Sequence, residues 1–263
     1  MGWRLRSHRL PRAWMQVTEG EAAVGGSIPM TGQPPNAESS REFVKYTFFK
    51  LDRSWRRLEA GQRREHIAEA SAVIDDIATA CWTRTYSLVG LRGDADLLLR
   101  QAAPAVDIFQ TTVTRVLGTG LGAYLDTPYS YLGMTKKSPY RTHRHPEMES
   151  RDRRSWDLKY FVVYPMVKKR SWYALPQEER QKLMGEHFKI GHKYPTVKIN
   201  TAYSFGLDDP EFVLGFEMDD PGDFLQLVED LRLIPTSQYT ESETPIFTTI
   251  RMSAREALQT LGG

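Results

Sequence analysis

The sequence contains a single cysteine, Cys81, among its 263 residues. One thiol excludes an internal disulfide, and it also excludes a zinc site built from several cysteines. Because a low cysteine content is typical of a reducing compartment, we expect a cytoplasmic protein. No apolar run approaches the ~18 residues that a transmembrane helix requires. We therefore expect no stable membrane association.

Acidic residues are scarce in two parts of the chain. The first lies near the start, where Arg4, Arg6, Arg9 and Arg12 precede the first acid, Glu19. No apolar segment of a secretory signal follows, and residues 25–40 are rich in glycine, proline and serine. We expect residues 1–40 to be a disordered basic extension without a chemical role, with Met15 and Met30 as alternative translation starts.

The second acid-poor part extends from position 136 to position 170. It contains eleven lysines and arginines but four aspartates and glutamates, although the whole chain has a net charge of only +2. Such a local excess favours a polyanionic partner, which could be nucleic acid, phosphate or a ligand with several carboxylates. The alternative interpretation is a solvated basic loop.

Beyond residue 40 the chain contains an internal repeat. The segment 43–67 aligns with the segment 159–184, and identical residues such as Trp55 and Trp172 recur at an offset of 117 positions. A second match pairs the Gly-Leu dipeptides that begin at Gly90 and Gly206, at an offset of 116. Because the two matches have nearly the same offset, we predict that the chain contains two copies of one structural unit.

Hydrophobic periodicity assigns the same element order, βαββαβ, to both copies. In the first copy we predict strands at 43–50 and 129–135, a hairpin over 82–102, and helices at 55–80 and 104–118. In the second we predict strands at 159–167, 196–205, 211–217 and 245–251, and helices at 176–191 and 221–233. This order is the ferredoxin-like pattern.

The predicted fold class is therefore α+β, with two ferredoxin-like repeats forming a barrel that carries its helices outside. We expect an N-terminal half at 41–137, a basic connecting loop at 138–158 and a C-terminal half at 159–263. A ligand pocket would lie inside the barrel, or between a sheet and its helices.

One histidine of the second half lies on an apolar helix stripe. Leu183, Met184, His187 and Ile190 recur at spacings of three and four, so His187 should point inward, whereas His192 should be more exposed. A lone inward histidine is most often a satisfied core residue. If His187 binds a metal, the absence of neighbouring ligands suggests that a porphyrin holds most of the coordination sphere.

The strand before this helix presents Tyr160, Val162, Tyr164, Met166 and Lys168 on one face by alternation. The simplest interpretation is a half-buried aromatic strand. The functional alternative assigns Tyr164 a redox role, because a phenol can lose an electron and a proton together. The Lys168 ammonium would then be available to meet a carboxylate.

Several motifs surround these residues, namely "YPMVK", "SWYALPQEERQKLMGEH", "GHKYPTVKINT", "GLDD" and "SQYTESETPIF". Together they resemble the motifs of the chlorite dismutase superfamily, and in particular of its coproheme decarboxylase branch. The resemblance covers about residues 41–252. It implies two ferredoxin-like halves, assembly as a homopentamer, and iron-coproporphyrin or haem b bound in the C-terminal half.

The resemblance also implies roles for individual residues. It makes His187 the proximal iron ligand and Tyr164 the catalytic tyrosine. Contacts to the porphyrin or its propionates are implied for Met166, Lys168, Ser237 and Tyr131, with Tyr129 as the alternative to Tyr131.

The chain departs from the chlorite-decomposing branch at Ile199, where that branch carries an arginine. An isoleucine side chain cannot hold chlorite near iron as a guanidinium does. The resemblance further implies a distal base at His145, with His143 as the alternative. It leaves the arginine that holds a propionate open among three nearby candidates, Arg151, Arg153 and Arg154, of which we assign Arg151.

The activity implied is the hydrogen-peroxide-dependent oxidative decarboxylation of iron-coproporphyrin to haem b, with no nucleic acid partner. One alternative within the superfamily is a chlorite dismutase-like or peroxidase haem protein. An alternative of another class is a non-enzymatic binding module, since ferredoxin-like folds also bind RNA. The glycine-containing signature of RNA-recognition strands is, however, missing from "YFVVYPMV". A third alternative is a cofactor-free barrel that traps a small molecule.

Overall fold

Nine β-strands and six α-helices form the described part of the chain, which comprises residues 41–136, 138–140 and 156–263 of a computed structural model. The first half contains β1 (Phe43–Leu51), α1 (Ala60–Ala80), β2 (Trp82–Ser87), β3 (Leu97–Ala103), α2 (Asp107–Leu117) and β4 (Leu125–Met134). The second contains β5 (Tyr160–Lys168), α3 (Arg170–Ala174), α4 (Gln177–Gly191), β6 (Lys198–Tyr203), β7 (Phe212–Met218), α5 (Pro221–Arg232), β8 (Thr240–Ser242) and β9 (Phe247–Met252). The short helix α6 (Ala254–Gln259) follows.

The strands close into an antiparallel barrel. Their order is β7-β6-β4-β1-β3-β2-β9-β5, and β5 pairs in turn with β7, while β8 extends the end of β5. Within the first half the order is β4-β1-β3-β2, and within the second the equivalent strands repeat it. This arrangement confirms the predicted ferredoxin-like α+β class.

The repeat is also visible in the backbone. Gly90 and Gly206, which are aligned in the two copies, adopt positive φ angles of 79° and 72°. A residue with a Cβ atom rarely adopts this conformation, so the tight turn in each half requires glycine at its aligned position.

Among the predicted boundaries that differ from the structure, the start of α1 differs most. The helix expected from residue 55 begins only at Ala60, because the Asp52 side chain accepts a hydrogen bond from the Ser54 backbone N–H and starts a separate 3-10 turn at 53–57. That turn buries Trp55 in the core, and the chain is extended at Leu58 before α1 starts. The apolar periodicity predicted one continuous helix from residue 55. The cap at Asp52 and the burial of the Trp55 indole instead separate a short 3-10 turn from α1.

Alternation along each strand divides the barrel wall into two faces. Phe48 and Val163 lie in the apolar cluster inside the barrel. Their neighbours Phe49 and Tyr164 lie outside, where Phe49 packs with the first-half helices and Tyr164 belongs to a separate cluster under the second-half helices. The outer face of β5 is therefore the surface on which a site can form next to α4 and α5.

A charged cluster inside the barrel joins the two halves. Glu217 of β7 is 1% exposed and accepts hydrogen bonds from Arg84 at 2.6 Å and from Arg100 at 2.7 Å. The side-chain amide of Asn200 donates a third at 3.0 Å. The two arginines belong to β2 and β3, so this carboxylate connects strands of the first half to strands of the second.

We expect Glu217→Gln to lower the free energy of unfolding by about 3–5 kcal/mol, because breaking a buried ion pair leaves uncompensated charge in the interior. Urea denaturation followed by circular dichroism measures this difference. The matched control is Glu178→Gln, which removes a carboxylate from the exposed face of α4. A loss no larger than that of the control would show that the cluster is not needed for stability.

No helix in the described ranges is both long and apolar enough to cross a bilayer.

Candidate active site

The two long helices that are equivalent in the repeat pack differently. The inward residues of α1, including Ile67, Ala70 and Ile74, are buried. No residue of α4, in contrast, is fully buried. Its stripe of Leu183, Met184, His187 and Ile190 is only half-buried. Of this stripe only Ile190 packs on the apolar cluster at the outer face of the barrel. We therefore interpret the region between the rest of the stripe and the barrel wall as a cleft.

The floor of this cleft is aromatic. Tyr164 of β5 is 6% exposed, and its ring stacks on Phe216 of β7 with centroids 5.7 Å apart. Phe224 of α5 also packs against Phe216, in a tilted arrangement with ring centroids 4.7 Å apart. Burial raises the pKa of the Tyr164 phenol, and the charge of Glu243 raises it further. The phenol is therefore neutral at physiological pH and lies in a low-dielectric surrounding.

His187 faces the same cleft from α4. Burial lowers the pKa of its imidazole to about 4, and the positive charge of Lys168 contributes in the same direction. The side chain is therefore a neutral imidazole near pH 7, which is the form that binds a metal ion. The influence of Lys168 on this pKa also places the end of β5 near the histidine.

This pKa predicts a pH dependence of stability for the ligand-free protein. An unfolded histidine takes up a proton near pH 6.5, whereas folded His187 does so only near pH 4. Protonation therefore favours the unfolded state as the pH falls below 6.5, which costs about 2 kcal/mol between pH 7.5 and 5. Urea denaturation of the wild type and of His187→Gln should show that the variant loses less stability over this interval. Parallel curves for the two proteins would contradict the assignment.

Lys168 supplies a cation at one end of the cleft. Burial lowers its pKa, although the charges of Glu243 and Glu211 oppose this effect. Among the described residues its ammonium makes no hydrogen bond or ion pair, and it lies 5.0 Å from the centre of the Trp172 ring. A largely buried ammonium with only a cation–π contact can accept a carboxylate as its partner.

Ile199 and Met166 complete the apolar surface. Ile199 of β6 lies opposite Phe216 in the β6–β7 pairing and is 40% exposed. Since the Phe216 ring stacks on Tyr164, Ile199 and Tyr164 border the same aromatic residue from two strands. Met166 follows two residues after Tyr164 and is 9% exposed.

Ser237 lies in the 3-10 turn at 235–239. Its hydroxyl is 2.9 Å from the carbonyl oxygens of Arg232 and Ile234 and donates its proton to that pair. In this rotamer the proton is engaged within the turn, so Ser237 must rotate its hydroxyl before it can donate to a carboxylate.

The sequence reasoning missed the ion pair between Arg232 and Glu243 beside Tyr164. Both charges act on the Tyr164 phenol, and Glu243 also acts on Lys168. A signal was present, because Glu243 belongs to the motif "SQYTESETPIF", but only the structure places its partner Arg232 next to it.

Other predicted residues lie elsewhere. Tyr131 packs against Phe48 in the barrel-interior cluster, with ring centroids 6.1 Å apart, and burial raises its pKa to about 12. Its alternative Tyr129 donates a hydrogen bond to Asp94 at 2.6 Å. The structure does not bring either tyrosine into the cluster that contains Tyr164. His143, His145, Arg151, Arg153 and Arg154 lie outside the described residues.

The described ranges contain no group of three or more His, Cys, Asp or Glu side chains that could hold a metal ion. A metal at His187 would therefore take few of its ligands from the described residues. A cavity of about 730 Å³ does border α4, but it is lined by polar residues of the opposite stripe, from Gln177 to Lys189. We regard the His187 side as the site, because the half-buried neutral imidazole of His187 and the half-buried ammonium of Lys168 both belong to it.

Comparison with known proteins identifies the family. The model of the chlorite dismutase family matches residues 63–252. The chain belongs to the chlorite dismutase family. This match includes β5, α4 and the 235–239 turn, and therefore all the described residues of the cleft.

Individual relatives of this chain are found in both branches of the family. Coproheme decarboxylase from Mycolicibacterium smegmatis is 31% identical over 177 residues, which is 67% of this chain and 75% of the relative. A mutant of chlorite dismutase from Candidatus Nitrospira defluvii superposes with a TM-score of 0.78 at 27% identity, covering 84% of this chain and 96% of that one. A haem-binding protein from Thermus thermophilus shares the fold with a TM-score of 0.74 at 24% identity, covering 84% and 94% of the two chains.

Proposed function

We propose that this protein catalyses the hydrogen-peroxide-dependent oxidative decarboxylation of iron-coproporphyrin to haem b. The observation that carries the proposal is one cleft in which the buried phenol of Tyr164 and the unpaired ammonium of Lys168 share a strand face opposite the neutral imidazole of His187. The family membership and the likeness to the coproheme decarboxylase of M. smegmatis support it.

The residues of the cleft fit an iron porphyrin with carboxylate side arms. A flat macrocycle needs apolar walls, and the stripe of α4 and the ring of Phe216 provide them. His187 would bind the iron as the single protein ligand, which agrees with the lack of a multidentate metal cluster in the described residues. Lys168 would pair with a propionate, which would relieve the cost of its buried charge.

When bound, the iron porphyrin would supply the redox chemistry by which hydrogen peroxide acts as the oxidant. Tyr164 would give up one electron and the phenolic proton, and its oxygen would then take a hydrogen atom from the β-carbon of the neighbouring propionate. The propionate radical would then lose a second electron to the oxidant derived from peroxide, and cleavage of its bond to the carboxylate would release carbon dioxide and leave a vinyl group. The phenol is restored, and Tyr164 is ready for the second propionate.

Ile199 and Met166 would provide an apolar surface where peroxide binds. His145 would deprotonate the peroxide, and Arg151 would hold a propionate. Ser237 remains a predicted propionate contact. Tyr131 stays a prediction from the resemblance, although it packs in the barrel-interior cluster and not beside Tyr164. The division into halves at 41–137 and 159–263 remains a proposal. Assembly as a homopentamer and a cytoplasmic location also belong to this proposal.

The decisive experiment adds ferric coproporphyrin and then measured amounts of hydrogen peroxide to the full-length chain. Mass spectrometry of the extracted porphyrin should show the stepwise loss of two carboxyl groups. An intact porphyrin after peroxide addition would overturn the proposed activity, however tightly the porphyrin binds.

A second candidate is chlorite decomposition, which the structural likeness to the chlorite dismutase of Candidatus N. defluvii favours. The apolar Ile199 argues against it, because no guanidinium stands at that position to hold the anion. Oxygen evolution from chlorite by the haem-loaded protein, measured with an oxygen electrode, distinguishes the two activities.

A further inference from the structure

We infer that Glu243 is the base that receives the phenolic proton when Tyr164 is oxidised. This inference rests on the proposed function and adds a catalytic residue to it. It is carried by the pairing of β8 with β5, by the ion pair with Arg232 and by the burial of the phenol.

Strand pairing brings Glu243 to the site. In β8, Thr240 lies opposite Lys168 and Ser242 opposite Val167. Glu243 is the next residue, and the chain then runs beside β5 towards Phe247, which pairs with Val163. Glu243 is thus placed along the stretch of β5 that contains Tyr164, and its carboxylate raises the pKa of both Tyr164 and Lys168.

The ion pair holds the carboxylate in place. Arg232 at the end of α5 binds Glu243, whose side chain is only 17% exposed, whereas that of Arg232 is 50% exposed. When Glu243 takes up a proton and becomes neutral, Arg232 loses its counter-charge. Because the Arg232 guanidinium is half-exposed, solvent can stabilise its charge. The pair can change its charge state without leaving a fully buried ion.

Tyr164 needs a proton acceptor because its phenol is buried. Removing an electron while the proton stays would leave a positive charge in a poorly solvated place, which is costly. Two other groups of the cleft are unsuited as proton acceptors, because Lys168 is already a cation and His187 is assigned to the iron.

Oxidation of Tyr164 moves an electron and a proton to different acceptors. One electron leaves Tyr164 for the oxidant derived from peroxide, and the phenolic O–H bond breaks. No hydrogen bond joins Tyr164 directly to Glu243 among the described residues, so the proton reaches the Glu243 carboxylate through one bridging water. The phenoxyl oxygen then takes a hydrogen atom from the propionate β-carbon and becomes a phenol again. The propionate radical loses a second electron to the same oxidant, and carbon dioxide leaves as the vinyl group forms. Glu243 gives its proton to the peroxide-derived oxygen as that oxygen is reduced to water, and so returns to the carboxylate.

The test compares Glu243→Gln with Glu241→Gln, which removes the same charge two positions earlier at an exposed site of β8. For Glu243→Gln we expect the single-turnover rate of the first decarboxylation to fall about 100-fold, the usual size of a lost general base. The solvent deuterium isotope effect on tyrosyl radical formation should rise. Fluorescence titration with iron-free coproporphyrin should give an affinity within about threefold of wild type, since Glu243 acts as a proton acceptor and not as a porphyrin contact.

The outcomes separate the two ideas. If the wild type decarboxylates and Glu243→Gln matches it, Glu243 is not the base. If the affinity for iron-free coproporphyrin falls as much as the rate, or if Glu241→Gln is equally slow, the effect is structural or generally electrostatic and the inference is overturned. If the wild type leaves the porphyrin intact, the proposed function itself fails, and the role of Glu243 fails with it.

Discussion

Tyr164→Phe is expected to lower the rate of coproporphyrin decarboxylation by about 1,000-fold while leaving the affinity for ferric coproporphyrin nearly unchanged. Phenylalanine keeps the ring that stacks on Phe216 at 5.7 Å, so the floor of the cleft should keep its shape. It lacks the hydroxyl, and a benzene ring cannot exchange a hydrogen atom with a propionate. The expected pattern is therefore a loss in the chemical step rather than in binding.

The measurement is single-turnover conversion followed by mass spectrometry, with the affinity determined separately from the shift of the porphyrin absorption band. Tyr160→Phe is the matched control, because Tyr160 lies on the same face of β5 and packs at the edge of the same cluster. A Tyr164→Phe protein that still removes both carboxyl groups at the wild-type rate would refute a redox role for this residue.

His187→Ala should reduce the affinity for ferric coproporphyrin by at least about 100-fold, because even the loss of a residue that only supports a metal ligand costs about 10- to 100-fold. Iron-free coproporphyrin should lose little affinity, since its carboxylates and apolar ring do not depend on the imidazole. Free imidazole added to the variant should restore the absorption spectrum of the wild-type complex.

His192→Ala serves as the control for this experiment. His192 follows the last turn of α4 and is exposed, so its removal should leave both affinities unchanged. An equal loss for ferric and iron-free coproporphyrin in His187→Ala would show that His187 shapes the cleft without binding iron.

Much of the architecture could be predicted from the sequence, because it depends on short-range patterns. Alternation along 159–167 predicted β5 and the shared face of Tyr164, Met166 and Lys168, and the spacing of the apolar residues predicted α4 with His187 on its inward stripe. The aligned Gly90 and Gly206 indicated a repeated turn, and both have positive φ. Patterns of this kind are readable since backbone geometry repeats every 2 or 3.6 residues.

The tertiary structure alone decided which of these faces meet. Nothing local shows that α4 stands away from its sheet while α1 packs tightly on its own, because that difference depends on the layers around each helix. Barrel closure through the β5–β7 pairing put Glu217 within reach of Arg84 and Arg100, more than a hundred residues away.

The sequence by itself determined the repeat, the fold class and the two residues on which the proposed chemistry centres, His187 and Tyr164. The folded chain decided the remainder of the site, namely that Tyr131 packs inside the barrel and that Arg232 and Glu243 meet beside the phenol. The physical reason is that side-chain periodicity is set by neighbouring residues, whereas a charge pair or a shared cleft is set by strand register and helix packing between distant segments.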